Sequence, residues 1–272
     1  MTAIIPAAGK GTRFLPVTRV VPKEMLPIGA KPAIHCIVEE AVAAGADDMV
    51  IIISEEKEII RRYFEDEPEL NGRIRFVYQK EQRGLGHAVL QAAKGVTGPV
   101  LILLGDALVT GPNPSREMVA VSRANGGASV IGLERVPKER VSRYGIVALE
   151  RTEDSGLRVE DGESVHRHLS SVSHHPSTVM RIVDLVEKPS LEEAPSDLEI
   201  AGRYLLDGDI FGLLATQAPG HGGEIQLTDS ICRLLATKPV YGYVYPGKRQ
   251  DIGNPQGYFS ALEAFNDRSD KG

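Results

Sequence analysis

A glycine-rich segment near the start of the chain carries residue types that bind polyphosphates. Pro6-Ala-Ala-Gly-Lys-Gly-Thr-Arg-Phe14 follows a short apolar run. Gly9 and Gly11 let backbone N–H groups approach an anion closely, and Lys10 and Arg13 add positive charge. The segment is neither a P-loop, which needs Gly-Lys-Ser/Thr, nor a dinucleotide fingerprint, because Phe14 replaces the third glycine. A tight turn with two solvated basic residues is the alternative interpretation.

Two further segments carry residues that could contact a nucleotide. In Val20-Val-Pro-Lys-Glu-Met-Leu-Pro27, two prolines frame Lys23, whose ammonium group can neutralise a phosphate. In Gln79-Lys-Glu-Gln-Arg-Gly-Leu-Gly-His87, Gly84 permits close backbone approach, and the Gln79 carboxamide offers a donor and an acceptor to a pyrimidine edge. A surface lysine and ordinary turn glycines are the alternatives for these segments.

Carboxylates at two places indicate a divalent-cation site. Asp106 ends the apolar run Leu101-Ile-Leu-Leu-Gly-Asp106, where an ionised carboxylate is costly without a partner. Asp251, within Gly247-Lys-Arg-Gln-Asp-Ile-Gly253, is a candidate second ligand. Mg²⁺ uses one or two protein carboxylates and leaves its other positions to phosphates and water. Asp106 could instead cap the turn that follows it.

Opposite charges stand side by side in Val186-Glu-Lys-Pro189, at the end of another apolar run. Neighbouring residues of a strand point to opposite faces, but Pro189 ends the strand, so both charges can lie at its end. Glu187 could then accept hydrogen bonds from hydroxyl groups while Lys188 holds a phosphate. A surface ion pair is the alternative.

Other catalytic chemistries find little support in the sequence. Four histidines lie among serines in one stretch, but their loose spacing, without an interleaved carboxylate or cysteine, is a weak metal signal (His166, His168, His174, His175). No Gly-x-Ser-x-Gly elbow occurs, which argues against a serine hydrolase of that type. Cys36 and Cys232 are isolated and give no case for a nucleophile.

The composition is typical of a globular protein from a reducing compartment. The 272 residues include 31 Lys and Arg against 37 Asp and Glu, a formal net charge of −6, and 42% are hydrophobic. An acidic chain binds nucleic acid poorly unless its basic residues cluster. No apolar run approaches the ~20 residues of a membrane span, and no secretory signal is visible. With only two cysteines, we expect a cytoplasmic protein with no nucleic-acid or membrane partner.

The elements that must position these residues alternate through the first hundred positions. Apolar runs at residues 2–7, 48–53, 74–78 and 99–104 alternate with helical patterns at 32–44, 55–64 and 86–94. This order predicts an α/β fold with a parallel sheet, whose strand-to-helix loops meet at one ligand-binding edge. The pattern of the second helix predicts four inward side chains (Ile59, Ile60, Tyr63, Phe64).

After residue 105 the pattern becomes irregular. Strands are predicted at 128–134, 145–150, 181–187 and 240–245, and helices at 114–125, 224–235 and 254–266. No linker is long enough to separate domains, so residues 1–272 are expected to form one domain.

Five segments occur in an order that resembles one enzyme family. They are Ala7-Ala-Gly-Lys-Gly-Thr-Arg13, Pro22-Lys-Glu-Met-Leu-Pro27, Gly84-Leu-Gly-His-Ala-Val89, Val186-Glu-Lys-Pro189 and Gly223-Glu-Ile-Gln-Leu-Thr-Asp229. Together they resemble the bacterial UTP–glucose-1-phosphate uridylyltransferases (UDP-glucose pyrophosphorylases) of the sugar-phosphate nucleotidyltransferase superfamily. The resemblance extends to about Phe265, and the forms of the second and fifth segments favour the uridylyl branch over the thymidylyl and adenylyl branches.

This resemblance implies a fold and a set of binding residues. The fold would be Rossmann-like, with a mixed, mainly parallel sheet and an added β-rich sugar-binding part; residues 1–110 would mainly bind nucleotide and residues 111–272 sugar phosphate. The implied nucleotide-binding residues are Ala7, Ala8, Gly9, Gly11, Gln79, Gly84 and Asp106, with Gln79 and Gly84 reading uracil. The implied sugar-phosphate-binding residues are Gly145, Glu187, Lys188, Gly202, Tyr204 and Glu224. Arg13, Lys23 and Lys188 would be catalytic, and Asp106 and Asp251 would hold Mg²⁺.

The implied reaction joins UTP and glucose 1-phosphate to give UDP-glucose and pyrophosphate. The resemblance also implies a homodimer or homotetramer.

The sequence departs from the family pattern at two places. Family members carry a longer segment between the second helix and the next strand, where Phe64 here leads almost directly to Ile74, and the stretch 164–178 is unlike the family pattern. Two alternatives stay open: uridylyl transfer to another hexose 1-phosphate, and a non-catalytic paralogue that binds a nucleotide sugar and regulates a partner. A metal-dependent glycosyltransferase is a third, but Gly105-Asp-Ala107 lacks its Asp-x-Asp pair.

Overall fold

The computed structural model describes residues 1–70, 72–150 and 179–269, and side chains as far as residue 265. The four histidines of the 166–175 stretch therefore lie outside the described residues. None of the helices in the described ranges is long and apolar enough to cross a membrane.

Alternating strands and helices form the first part of the chain, as the apolar periodicity predicts. They are β1 (Thr2–Pro6), β2 (Pro27–Ile28), β3 (Lys31–Pro32), α1 (Ala33–Ala43), β4 (Asp48–Ile53), α2 (Glu58–Glu65), β5 (Ile74–Tyr78), α3 (Leu85–Gln91) and β6 (Val100–Leu103). The second part comprises β7 (Ala107–Thr110), α4 (Pro114–Ala124), β8 (Ser129–Arg135), β9 (Gly145–Leu149), β10 (Val179–Glu187), β11 (Leu198–Leu206), α5 (Ile210–Ala215), α6 (Leu227–Leu235), β12 (Val240–Val244), β13 (Lys248–Asp251) and α7 (Pro255–Ser269).

Nine of the described strands form one mixed sheet in the order β5-β4-β1-β6-β11-β8-β12-β10-β9. The first four are parallel, as expected for strands buried on both faces. β12 is parallel to β8, whereas β11 and β10 are antiparallel to their neighbours. The sheet is therefore mixed, with its parallel order concentrated in the first hundred residues.

Successive side chains of the central strands enter two different cores, which explains why these strands are apolar throughout. Ala3 and Ile5 of β1 pack with α1, α2, α4 and α7 on one face. Ile4, between them, packs with α3, α5 and α6 on the other face. The sheet is thus covered by helices on both sides, and its strand ends are left to carry polar residues.

Strand β11 is the main element that sequence patterns do not predict. All nine of its residues, Leu198–Leu206, are buried between β6 and β8. Glu199, Gly202 and Arg203 interrupt its apolar pattern. The two charged residues each have an ion-pair partner, Arg249 and Glu40, that only the folded chain brings near. β11 joins the parallel strands to the remainder of the sheet.

The predicted burial of Ile59 is wrong, since its side chain is 45% exposed. A single turn of 3-10 helix over Glu55–Lys57 precedes α2. The helix therefore starts at Glu58 and buries Ile60 and Phe64, which are one turn apart on the same face. The same turn directs Lys57 into the protein, where it is only 6% exposed.

A separate two-stranded ribbon pairs β7 antiparallel with β13. Asp251, the last residue of β13, lies opposite Ala107, the first residue of β7. Asp106 precedes β7, and its carbonyl accepts a hydrogen bond from Ile252 N at 2.9 Å. This ribbon, called the carboxylate ribbon below, brings the two predicted metal-binding aspartates together.

Candidate active site

The loops after β1, β4, β5 and β6 converge at the carboxyl edge of the parallel strands. Gln82 Nε2 donates to the carbonyl oxygen of Ala8 at 2.8 Å, and Lys57 Nζ donates to that of Ala7 at 2.7 Å. Gly105 N donates to the carbonyl oxygen of Pro6 at 3.2 Å. The glycine-rich segment after β1 is therefore held by each of the neighbouring strand ends.

A cavity of about 380 Å³ opens beside this segment. Its lining is basic on balance, with one acidic side chain, Glu56, and four positive ones, Lys10, Arg19, Lys23 and Lys57. Gly11 and Gln82 also line it. Size and charge suit a polyphosphate, for which backbone N–H groups and basic side chains are the usual partners.

Gly11 has a backbone conformation that favours glycine. Its φ is +63°, and an added Cβ would lie 3.1 Å from Cγ2 of Thr18. Thr18 Oγ1 donates to the carbonyl oxygen of Gly11 at 2.8 Å, which folds residues 11–18 back on themselves. Of the other predicted residues here, Ala7 and Ala8 are buried, whereas Gly9 and Arg13 are exposed. Arg13 lies in the turn Thr12–Phe14 and is not part of the cavity lining.

Lys23, Asp106 and Asp251 form the charged centre of the site. Lys23 Nζ lies 2.5 Å from Asp106 Oδ2. A Cβ added to Gly253 would meet Asp251 Oδ1 at 2.8 Å, Asp106 Oδ2 at 3.1 Å and Lys23 Nζ at 3.6 Å. All three groups therefore surround Gly253, where only a residue without a side chain fits.

The charges in this cluster stabilise one another. Burial alone would raise the pKa of Asp106, but Lys23, backbone hydrogen bonds and Arg249 outweigh it and lower that pKa. Burial likewise lowers the pKa of Lys23, but Asp106, Glu24 and Asp251 outweigh burial and raise it. At neutral pH both groups are charged.

The two aspartates fit a divalent cation that completes its shell from a ligand. Asp251 Oδ1 accepts a hydrogen bond from Gly253 N at 2.8 Å, and its Oδ2 accepts one from Asn254 Nδ2 at 3.2 Å, so the carboxylate is oriented. Within the described ranges, no three His, Cys, Asp or Glu side chains are grouped to hold a metal. Mg²⁺ favours one or two protein carboxylates and takes its other ligands from phosphate oxygens and water.

Two arginines, one fully buried and one partly buried, anchor the carboxylate ribbon to the sheet. Arg203 of β11 is fully buried, donates to the carbonyl oxygen of Ala107 at 2.6 Å and forms a two-pronged ion pair with Glu40 of α1. Arg249 of β13 donates to Glu199 of β11, and its guanidinium lies 5.1 Å from the centre of the Tyr144 ring. The ribbon therefore cannot shift without breaking charged hydrogen bonds on both strands.

Gln79 and Gly84, the predicted uracil-reading pair, lie next to each other at the end of β5. Gln79 is 5% exposed, and its Nε2 contacts the carbonyl oxygen of Gly84 at 3.4 Å and His87 Nδ1 at 3.0 Å. Gly84 has φ +99°, and an added Cβ would lie 2.7 Å from the carbonyl oxygen of Ile225. The backbone turn at Gly84 is thus closed by the segment that carries Glu224 and Ile225.

The predicted sugar-phosphate residues Gly145, Glu187 and Lys188 also meet. Glu187 Oε2 accepts a hydrogen bond from Thr228 Oγ1 at 2.8 Å, and a Cβ on Gly145 would lie 3.2 Å from the same oxygen. Lys188 N donates to the carbonyl oxygen of Tyr144 at 3.0 Å. Among the described residues other than glycine, Lys188 alone has a positive φ, +48°. Such strain is concentrated at ligand sites.

The other three predicted sugar-site residues have different surroundings. Gly202 has φ +75°, and an added Cβ would lie 3.0 Å from Leu104 Cδ1, the residue that leads into Asp106. Tyr204 is buried between Ile102 and Ile131, and burial with the nearby charge of Glu187 raises its pKa. Glu224 accepts a hydrogen bond from Gln226 Nε2 at 3.0 Å, and its Cβ would lie 2.9 Å from a Cβ added to Gly84.

Several residues at this edge have no role in the sequence analysis. They include the buried residues Lys57, Glu24 and Arg203 and the partly buried Arg249, each in an ion pair. A signal for Lys57 exists, because it follows the apolar strand β4 at the edge where ligands bind. The arginines give no such signal, because their partners Glu40 and Glu199 lie far away in the chain.

Comparison with known proteins finds similarity over nearly the whole chain. The family model described as nucleotidyl transferase matches residues 2–268. The UTP–glucose-1-phosphate uridylyltransferase 2 of Staphylococcus saprophyticus is 40% identical over 278 aligned residues, covering 94% of this chain and 88% of that protein. The UTP–glucose-1-phosphate uridylyltransferase of Bacillus subtilis is 37% identical, covering 97% of this chain and 90% of that protein.

Solved structures show the same similarity. A UDP-glucose pyrophosphorylase complexed with UDP-glucose superposes with a TM-score of 0.78 at 35% identity, covering 100% of this chain and 99% of that one. A UTP-bound UGPase from Acinetobacter baumannii gives a TM-score of 0.78 at 31% identity, covering 97% of this chain and 92% of that one.

Proposed function

This chain belongs to the nucleotidyl transferase family, and on that premise we propose that it transfers the uridylyl group of UTP to glucose 1-phosphate. The products are UDP-glucose and pyrophosphate. Relatives that are 37% and 40% identical over nearly the full chain carry the name of this activity. The observation in the structure that carries the proposal is the convergence of Lys23, Asp106 and Asp251 beside a basic cavity.

The reaction needs positioning and charge neutralisation more than proton transfer. A sugar phosphate oxygen attacks the α-phosphorus of UTP in line with the departing pyrophosphate, so one P–O bond forms as another breaks. The attacking oxygen is already ionised at neutral pH, because the second pKa of a phosphate monoester is about 6. No protein base is therefore required, and catalysis depends on fixed positive charge around the reacting phosphates.

Basic residues of the cavity supply that charge in our proposal. Lys10 and Lys23 line it directly, and Arg13 lies in the neighbouring exposed turn, within the segment that would wrap the triphosphate. The Lys23 ammonium is held by Asp106, so its direction is set before substrate binds. Gln79 and Gly84 would bind uracil at the adjoining strand end.

Asp106 and Asp251, which lie with Lys23 around Gly253, would hold Mg²⁺. When bound, the cation would supply two positive charges, which offset the negative charge that develops on the phosphate oxygens. The chain's own contribution is the orientation of both carboxylates, which results from the ribbon pairing and from Gly253.

Glu187 and Lys188 would bind the sugar phosphate. Thr228 orients the Glu187 carboxylate, whose other oxygen lies 3.7 Å from Lys188 Nζ. A carboxylate that accepts hydroxyl hydrogen bonds next to an ammonium that binds phosphate matches the two ends of a hexose 1-phosphate.

A panel of substrates tests the proposal. Glucose, galactose and N-acetylhexosamine 1-phosphates would each be combined with UTP, dTTP, CTP and ATP, and pyrophosphate release would be measured. We expect the highest kcat/KM for UTP with glucose 1-phosphate. A preference for another sugar would support the alternative hexose activity, and nucleotide-sugar binding without turnover would support a regulatory paralogue.

The proposal also covers the oligomeric state and the cellular location of the protein. We expect a homodimer or homotetramer, which light scattering of the purified protein would test. A cytoplasmic location also stays a prediction, and fractionation of cells that express the chain would test it.

A further inference from the structure

Two buried charges lie under the nucleotide loop and have no role in the reaction described above. Lys57 is 6% exposed and Glu24 is 1% exposed. Lys57 Nζ donates to Glu24 Oε2 at 2.7 Å and to the carbonyl oxygen of Ala7 at 2.7 Å. One ammonium group therefore joins the loop after β1, the turn before α2 and the proline-framed turn at residues 22–27.

Glu24 is the neighbour of Lys23 in the chain, so its contact with Lys57 also holds the turn that carries Lys23. Glu24 follows Lys23 in the turn Lys23–Met25, and the two side chains have different partners. Lys23 contacts Asp106 at the end of β6, whereas Glu24 contacts Lys57 at the end of β4. The turn is thus held at both sides, and the direction of the Lys23 side chain is determined by two ion pairs instead of one.

Stability alone does not account for the buried pair. Burial lowers the pKa of Lys57 and raises that of Glu24, which shows that both charges lose hydration in the folded protein. A buried ion pair of this kind is often no more stabilising than apolar residues of similar size. What it adds is a fixed geometry, because each partner must remain within hydrogen-bond distance of the other.

We propose that Glu24 and Lys57 are positioning residues that fix the Lys23 ammonium relative to the nucleotide loop at Ala7. The proposal rests on the proposed function, since Lys23 acts there on the phosphates. Lys57 also lines the cavity, so direct contact between Lys57 and a phosphate is the competing explanation. The two explanations differ in the role of Glu24, which is needed only if the pair positions the turn.

A double-mutant cycle separates these explanations. Glu24→Gln, Lys57→Met and the double variant would be compared with the unmodified protein for kcat, KM for UTP and thermal stability. The double variant contains no unpaired buried charge, so it is expected to fold even if a single variant does not. We expect each folded variant to lose about 10- to 100-fold in kcat, as misplacement by about 1 Å can do, with KM for UTP changed less than about threefold.

Non-additivity is the decisive result. Because both substitutions break the same tether, the double variant should be no slower than the slower single variant. Lys57→Arg keeps a cation at this position and should lose less kcat than Lys57→Met. Lys31→Met with Glu39→Gln is the matched control: this Lys–Glu pair, at 2.5 Å, is also a direct ion pair but is half-exposed, and we expect unchanged kcat.

Hydrogen exchange provides a readout that does not depend on catalysis. Amides of residues 23–26, between the two prolines, should exchange faster in the double variant, while those of β4 should not. Unchanged exchange in residues 23–26, a double variant with kcat within about twofold of the unmodified protein, or a normal Glu24→Gln beside an impaired Lys57→Met would each overturn the proposal. If the unmodified protein releases no pyrophosphate, the proposed function fails instead, and the exchange result alone decides whether the tether exists.

Discussion

Lys23 Nζ lies 2.5 Å from Asp106 Oδ2, although the two residues are 83 positions apart in the chain. The contact joins the proline-framed turn to the end of β6. Since Lys23 lowers the pKa of Asp106, the carboxylate stays ionised despite its partial burial. The same ion pair therefore fixes the predicted phosphate-binding cation and keeps one predicted metal ligand in its charged form.

Removing the Asp106 carboxylate should abolish most turnover. We expect Asp106→Ala to lower kcat about 100-fold or more, because the variant loses a metal ligand and leaves Lys23 without its partner. Pyrophosphate release would be followed over a titration of Mg²⁺. Asp207→Ala is the control, since Asp207 pairs with Lys238 at the opposite edge of the sheet. Near-normal turnover of the Asp106 variant at limiting Mg²⁺ would contradict the assignment.

A methyl group at position 253 should separate the two aspartates. In Gly253→Ala the new Cβ would lie 2.8 Å from Asp251 Oδ1 and 3.1 Å from Asp106 Oδ2, closer than ordinary contacts. We expect the Mg²⁺ concentration for half-maximal rate to rise about tenfold, as for other perturbations around metal ligands. Gly212→Ala in α5, where a Cβ meets nothing within 4 Å, is the control. An unchanged Mg²⁺ requirement would show that the carboxylates do not act together.

Glu187 should control the use of sugar rather than of nucleotide. Glu187→Gln keeps the size of the side chain but weakens the hydrogen bonds it accepts, so we expect KM for glucose 1-phosphate to rise about tenfold. KM for UTP should change little. Initial rates with each substrate varied in turn would measure both, and Glu192→Gln, at an exposed position nearby, is the control. Unchanged saturation by glucose 1-phosphate would count against a sugar-binding role.

Glu199 should make stability depend on pH near neutrality. Burial raises its pKa to about 7, with Glu134 and Asp251 adding to the shift and Arg249 opposing it. An unfolded glutamate has its ordinary pKa of 4.5. Between about pH 4.5 and 7, Glu199 is therefore protonated in the folded state but ionised in the unfolded state. Stability contributed by this group therefore falls as the pH rises through that window.

Calorimetry of Glu199→Gln would test this prediction. The variant cannot titrate at position 199, so its Tm should fall less than that of the unmodified protein between about pH 5 and pH 8. Each kcal/mol corresponds to about 2–4 °C for a chain of this size. Glu139→Gln, at an exposed position, should follow the unmodified protein. Parallel Tm curves for Glu199→Gln and the unmodified protein would rule out a titrating Glu199.

Sequence patterns predict most accurately the strands that have apolar surroundings on both faces. β1, β4 and β6 are apolar on both faces because helices cover both faces, so their type and parallel order follow from the residues alone. The glycine positions are also informative. Gly84 and Gly202 have positive φ and no room for a side chain, which agrees with their placement in predicted binding segments.

What sequence patterns miss depends on partners that are distant in the chain. Glu199 and Arg203 make β11 look unlike a buried strand, because a buried charge is acceptable only with its partner present. Those partners, Arg249 and Glu40, are 50 and 163 positions away. Likewise, nothing near Lys57 in the chain shows that Glu24 neutralises it. Local patterns therefore identify candidate ligand-binding segments more readily than the distant residues that hold those segments in place.

The carboxylate ribbon has a consequence for how the protein is made on the ribosome. β7 is synthesised early, but Lys248, which pairs with Thr110, follows it by 138 positions. During translation of the intervening residues, β7 has an unpaired edge that could associate with other chains. Asp251, the predicted second metal carboxylate, is synthesised with the last described strand. The two predicted metal-binding carboxylates can therefore meet only after a long-range pairing, and pairings of this kind form slowly.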